Sequence, residues 1–518
     1  MYQDETTLDY QYQSNELCDG SSSENQNRDE VWRSLKNALP DQDIPAVQDC
    51  VTRLYNSLPD QENLSRNTVM VAYGGGKDSA YSAAFMRAVH VAMAERFHGD
   101  TFQLRIVTMR HSGMPYVVME NIHRTYSALG VYEDPTVELL LIERDRVRRF
   151  DLNAPMPLPV IENNRIDLLM SGHRSYGDGR TTFCNACNLN VASSFGVAAR
   201  YGEGVDLIVT GDSPSEQRDY IHWIRGIAGQ IGQKPAKSKK FKGTLETLNG
   251  LSQTYFMEIH GDGQADRLSE RAVVSDVPEK LAFFSIYDHT DYESGAHWNL
   301  LTEFLGFVFD DLAFSFTESD CANPAMMAHL RGLRTQHVYR RSYREGIDQY
   351  ADFAIDLMKK KDFPDHLVEI MEQRYSTEEG VESMRALTED YALTTFGLTT
   401  PQLVCLVYSP FAGGCQNLHD YLVAEQPELL PREEEIVAML QGEEAGDPSL
   451  ASKVERISGL SVTDLRHICA SPIWSPFKKD EDSTELLPII TTSDPHQKLI
   501  HVSDGRGGDR VLDRVSGR

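Results

Sequence analysis

The chain is short of positive charge. Fifty Lys and Arg stand against 78 Asp and Glu in 518 residues, a net charge of −28. A broad grip on nucleic acid needs a basic footprint, so this balance argues against such a surface and leaves room only for a local patch. Long apolar runs are also missing: no stretch approaches the roughly 18 apolar residues of a membrane span. Residues 1–13 have neither the basic nor the apolar segment of a signal peptide, so none is expected. Cysteine is sparse, with eight residues at 18, 50, 184, 187, 321, 405, 415 and 469 and one close pair. That excludes a disulfide scaffold; reduced thiols in a cytoplasmic protein are the expectation. Apolar residues are not lacking. At 41% they can fill a sizeable core, and at roughly 100–200 residues per domain the length suggests three or four folding units.

Residues 1–30 are rich in Asn, Gln, Ser, Glu and Asp without an apolar period, which predicts a disordered lead. Helical spacing follows to residue 58, with Pro40 and Pro45 dividing it into two helices. Next, strand-like runs at 69–73, 103–109, 136–142 and 205–210 alternate with helix-like segments at 78–96, 116–129 and 188–201. This alternation predicts a parallel sheet with helices on both faces. Residues 225–251 carry Lys234, Lys237, Lys239, Lys240 and Lys242 and read as a flexible, solvated insertion, with a clamp on ATP phosphates or an acidic partner as the lesser reading. Residues 326–393 are rich in helix formers. Their basic run, Arg331, Arg334, Arg340, Arg341 and Arg344, is a solvated face or a contact for an acidic substrate or carrier. Residues 425–447 hold eight Asp and Glu against one Arg, and the last 45 or so read as a polar tail. The expected division is a lead at 1–30, an α/β domain at 31–325, a helical domain at 326–470 and a tail at 471–518.

The densest chemical signal is at 69–79. An apolar strand runs through Tyr73 into Gly74, Gly75 and Gly76, and then Lys77, Asp78 and Ser79 open a helix. Glycines let backbone approach an anion, and successive N–H groups form a concave donor nest. The helix dipole adds positive potential there, and Lys77 adds a full charge. Asp78 suits Mg²⁺ or a loop N–H, and Ser79 suits a phosphate oxygen or a helix cap. The spacing fits neither the G-x-x-x-x-G-K-[ST] loop nor G-x-G-x-x-G.

This segment resembles the SGGKDS loop of the PP-loop, or N-type, ATP pyrophosphatase superfamily, with Gly74 in the place of its first Ser. The resemblance covers about residues 68–325. It implies a doubly wound parallel sheet of adenine nucleotide α-hydrolase type, ATP and Mg²⁺ as cofactors, and cleavage of ATP between its α and β phosphates. It also places Thr108 and Met109, at the second strand's end, near adenine, with Arg110 and His111 in reach of phosphate or substrate. Polar residues ending a strand are an equally ordinary explanation.

Cys184 and Cys187 stand three apart at the start of a predicted helix, where the dipole favours thiolate. The following strand ends at Thr210, Gly211 and Asp212. This arrangement resembles the tRNA thiolation branch of the superfamily, which has His where this chain has Asp212. The resemblance implies an iron–sulfur cluster or a sulfur-carrying role for the pair with a later cysteine, Cys321 or in competition Cys415. Three readings stand: a [4Fe–4S] or zinc site, a persulfide-carrying pair, or two buried thiols. Residues 286–307 more faintly resemble N-acetyl sugar amidotransferases. Within them Asp288, His289, Asp291 and His297 match no familiar metal-ligand spacing, so a polar loop is expected.

Together these features predict an AMP-forming enzyme that adenylates a carbonyl or carboxylate oxygen for attack by sulfur. The acidic balance points to a small or carrier-bound substrate rather than tRNA, served by a sulfur donor. One alternative is an amide ligase taking ammonia from a partner; another is a nucleotide-binding regulator without turnover, to which Gly74 and Asp212 point.

Overall fold

The computed structural model describes residues 20–178, 185–287, 297–312, 324–360, 363–442, 447–474, 485–493, 497–503 and 510–516. Two helices lead, α1 (Gly20–Ala38) and α2 (Asp43–Ser57). Pro40 separates them as expected, whereas Pro45 sits in the first turn of α2, where a missing N–H costs nothing. Helix α1 starts ten residues before the end of the lead expected from composition. Its Arg28 is buried, donating to both carboxylate oxygens of Asp134 at 2.8 and 2.9 Å, and Arg87 donates to the same carboxylate at 2.8 Å.

Strand β1 (Thr68–Ala72) is followed by α3 (Lys77–Arg96), β2 (Gln103–Met109), α4 (Tyr116–Ala128), β3 (Val137–Glu143) and β4 (Arg146–Arg149). Helices α5 (Leu158–His173) and α6 (Asn185–Arg200) then lead to β5 (Leu207–Val209), α7 (Pro214–Gln230), α8 (Phe241–His260) and β6 (Ala282–Phe283). The sheet order is β4-β3-β2-β1-β5-β6. All pairings are parallel except β3 with β4. The fold is therefore α/β, with a six-stranded, mostly parallel sheet.

Strand residues alternate between two covered faces, as the pleat requires. Val69, Val71, Leu104, Ile106 and Val209 pack with α2, α3 and α4. Met70, Val107, Leu140, Ile142 and Ile208 pack with α6 and α8. Helix α3 is buried on all sides from Ala80 to Ala94, and its many alanines admit that close approach.

The stretch 225–251 is not a flexible insertion. It is the end of α7 and the first half of α8, whose Leu245, Leu251 and Tyr255 are buried. Only Lys234, Lys237, Lys239 and Lys240 fall in the exposed link between them.

The chain after residue 323 is helical: α9 (Pro324–Leu333), α10 (Tyr343–Lys360), α11 (Asp365–Ser376), α12 (Glu378–Phe396), α13 (Thr400–Tyr408), α14 (Ala412–Cys415), α15 (Leu418–Glu425), α16 (Glu433–Gln441), α17 (Pro448–Ser458), α18 (Val462–Ala470) and α19 (Leu486–Thr492). A hairpin of β7 (Gln497–Ser503) and β8 (Arg510–Ser516) ends it. The expected polar tail thus contains structure, and Leu486 and Leu487 of α19 are fully buried. One apolar cluster joins α5, α7 and α8 to these later helices. No described helix is long and apolar enough to cross a membrane.

Candidate functional site

Strand β1 lies between β2 and β5. The chain leaves it toward β2 and returns on its other side with β5. Such a topological switch point opens a crevice at the carboxyl ends of the strands, and the glycine loop occupies it. At Gly74 no atom lies within 4 Å of where a Cβ would sit. Gly75 has φ +82°, and a Cβ there would lie 2.5 Å from Val118 Cγ1, so it must be glycine. Gly76 is the N-cap of α3 and offers no side chain to cap the first turn. The leading N–H groups of a 20-residue helix therefore face the crevice with only backbone before them.

Lys77 Nζ lies 3.3 Å from an Asp78 carboxylate oxygen. It also sits 5.9 Å from the ring centre of Phe363, which follows α10. The helical part of the chain thus supplies a wall to the loop. Ser79 turns its hydroxyl back onto the Gly76 carbonyl at 3.0 Å.

From the other side of the crevice, the turn after β5 closes on the loop. A Cβ at Gly211 would meet Ser79 Cα and N at 3.5 Å. Gly211, expected with Asp212 among the nucleotide-binding residues, thus lies against the first turn of α3. Ser82, one turn into α3, donates to the Asp78 carbonyl at 3.1 Å and shares a 2.8 Å hydrogen bond with the Tyr287 hydroxyl. Burial pushes the Tyr287 phenol up; the Ser82 hydrogen bond opposes this, and the Asp78, Asp212 and Glu216 carboxylates add to it. Tyr287 and Phe363 are site residues that no sequence motif marks, although Tyr287 lies in the stretch 286–307 singled out above.

Other expected residues are committed elsewhere. The Tyr73 side chain is buried, with its hydroxyl donating to Thr125 Oγ1 at 2.9 Å. Thr108 donates to the Tyr73 carbonyl at 2.9 Å. Both can face the crevice only through backbone. Met109, the last residue of β2, is half-buried. Arg110 is not held out for phosphate: it pairs with buried Glu143 and donates to the carbonyls of Ala154 and Pro155. His111 is buried.

The arginine run is largely engaged within the fold. Arg341 pairs with Glu345, and Arg344 with Asp348 and Glu378. Arg331 donates to Gln349, and Arg334 lies over the Tyr176 ring.

Cys184 and Cys321 lie outside the described residues, as do Asp288, His289 and Asp291; Cys187 lies within α6. His297 is described and contacts Asp43 Oδ2 at 3.1 Å, where the Tyr81 hydroxyl also donates at 3.0 Å. Cys415 meets Cys469, with 3.5 Å between sulfurs. Among the described residues no three His, Cys, Asp or Glu converge as a metal site.

Beside the β5–α7 turn lies an open groove of about 560 Å³, lined by Arg53, Asn56, Ser57, Gln217, Phe283 and Phe284 among others. Arg53 donates to the Ser285 carbonyl at 3.1 Å and lies 5.3 Å from the Phe284 ring centre. Gln217 reaches Thr210 Oγ1 at 3.2 Å and the Asp212 carbonyl at 3.3 Å, joining the groove wall to the turn that faces the glycine loop.

No family model, curated protein or solved structure matches this chain.

Proposed function

We propose that the chain is an AMP-forming ATP pyrophosphatase of the PP-loop kind that adenylates an oxygen of a small or carrier-bound substrate. The observation that carries this is the start of α3: glycine backbone, an N-terminus without a side-chain cap and Lys77, all at the switch point of a parallel sheet. A polyphosphate suits this donor set, and the open space at Gly74 gives it room. Mg²⁺, when bound, supplies further charge neutralisation on the phosphates, and Asp78 is the loop carboxylate suited to hold it.

The substrate oxygen attacks the α-phosphorus, and the bond to the β-phosphate oxygen breaks. Pyrophosphate leaves against Lys77 and the α3 amides, which stabilise its developing charge. The groove at Arg53 and Gln217 suits the acceptor, since it adjoins the turn that closes on the loop. A nucleophile then displaces AMP from the adenylated carbon. The Cys184 and Cys187 pair favours sulfur as that nucleophile: hydrosulfide from a sulfur donor bonds to the carbon as AMP leaves with the oxygen, giving a thiocarbonyl or thioamide.

The test is release of pyrophosphate and AMP from ATP and Mg²⁺ with a pool of candidate acceptors. Release that needs an acceptor supports the proposal. ATP binding without release under any condition identifies a nucleotide-binding regulator instead. Undiminished product formation by the Cys184→Ala/Cys187→Ala variant, with ammonia in place of a sulfur donor, identifies an amide ligase.

A further inference from the structure

Two cysteines that sequence spacing does not link meet in the helical part of the chain. Cys415 closes the short turn α14, and Cys469 is the second-last residue of α18. Their sulfurs are 3.5 Å apart, and 54 positions separate them along the chain. A disulfide needs about 2.05 Å between sulfurs, so the two have about 1.5 Å to close. The two segments are already joined by backbone, with the Gly413 N–H donating to the Ser471 carbonyl at 2.8 Å. Both thiols are buried, and their chain neighbours Gly414, Gln416 and Ala470 are exposed.

Either sulfur can donate in the contact between them, and the Cys415 thiol also reaches the Phe411 carbonyl at 3.5 Å.

We propose that Cys415 and Cys469 are an oxidative modification site, forming a reversible disulfide with a hydroperoxide as oxidant. The thiolate of one cysteine attacks a peroxide oxygen; an S–O bond forms, the O–O bond breaks, and hydroxide leaves as that cysteine becomes a sulfenic acid. The other thiol then attacks that sulfur, forming the S–S bond and expelling the sulfenic oxygen, which takes up that thiol's proton as water. Two thiols and one hydrogen peroxide give one disulfide and two waters.

The clamp falls at a telling place. Ser409, just before α14, accepts from the Tyr176 N–H at 2.9 Å, and Trp474, just after α18, donates to the Arg174 carbonyl at 2.8 Å. The two segments that the disulfide would join both hold the 172–176 turn, the stretch of chain that leads toward Cys184.

The test uses the full-length chain, reduced, freed of reductant, treated with hydrogen peroxide and then alkylated. Peptide mapping without reductant is expected to yield the 415–469 peptide pair linked, about 2 Da lighter than the sum of its thiol forms, and reversible by dithiothreitol. The thermal midpoint is expected to rise by a few degrees on oxidation, and not in Cys415→Ser or Cys469→Ser. Recovery of both residues as alkylated thiols after peroxide, or of either linked to a different cysteine, overturns the proposal. The wild-type map alone decides this, whatever the stability of the variants.

Discussion

Helices α3 and α7 both begin at the carboxyl edge of the sheet, and Gly211 brings the chain entering α7 against the first turn of α3. Their starts are built in opposite ways. Helix α7 is sealed: Ser213 accepts from the Glu216 N–H, the Glu216 carboxylate accepts from the Ser213 N–H at 2.8 Å, and Pro214 fills the first position. An acidic side chain there also complements the dipole. Helix α3 has glycine at its cap, Lys77 in its first position and Asp78, paired with Lys77, in its second. A cation at the positive end of a helix is unfavourable by itself. One N-terminus satisfies its own donors with side chains, while the other leaves its backbone donors without a side-chain cap, beside a lysine. The contrast is the physical case for an anion at α3 and none at α7.

The largest expected effect separates the two directly. Lys77→Ala should lower pyrophosphate release by about 10²–10³-fold, the loss typical of removing one transition-state donor. Ser213→Ala should leave that rate within about twofold. Equal losses from both, measured with saturating ATP, would break the comparison.

How much of this is legible in the sequence depends on the range of the interaction. The glycine loop, β1, β2 and α3 are readable to within a residue or two, because turn residues and apolar period are local signals. Local composition misleads at 225–251: exposed lysines in the link draw attention from the buried Leu245, Leu251 and Tyr255 on either side of Gly250. Phe363 over Lys77 and Cys415 against Cys469 have no local signal, since each pair is joined only by the way the later helices pack. Arg110 is hidden for the same reason, its partner Glu143 lying 33 positions away on β3.

Next in size comes the loop's backbone. Gly75→Ala forces a side chain into a left-handed conformation and against Val118. It should cost about 1–3 kcal/mol in urea unfolding and weaken ATP protection against heat. Unchanged stability would mean that the loop does not hold the φ of +82° on which the nest depends.

Ser213→Ala should destabilise the fold by about 1 kcal/mol, the ordinary worth of an N-cap, with ATP affinity unaltered. A change in ATP affinity without a change in stability would reverse the roles assigned to the two helix starts.

The smallest effect sharpens the comparison most, because it concerns the position at which this chain departs from the loop it resembles. Gly74 has ordinary backbone angles and open space at its Cβ position, unlike its neighbour Gly75. Gly74→Ser should therefore change stability by no more than about 0.5 kcal/mol. The added hydroxyl has room to donate one more hydrogen bond to phosphate, tightening ATP by about fivefold for a bond of about 1 kcal/mol. Calorimetric titration with ATP and Mg²⁺ reads the difference. Loss of ATP binding in Gly74→Ser, with the fold intact, would mean that backbone at 74 touches the ligand with no space to spare, and the glycine would then be a requirement of this site.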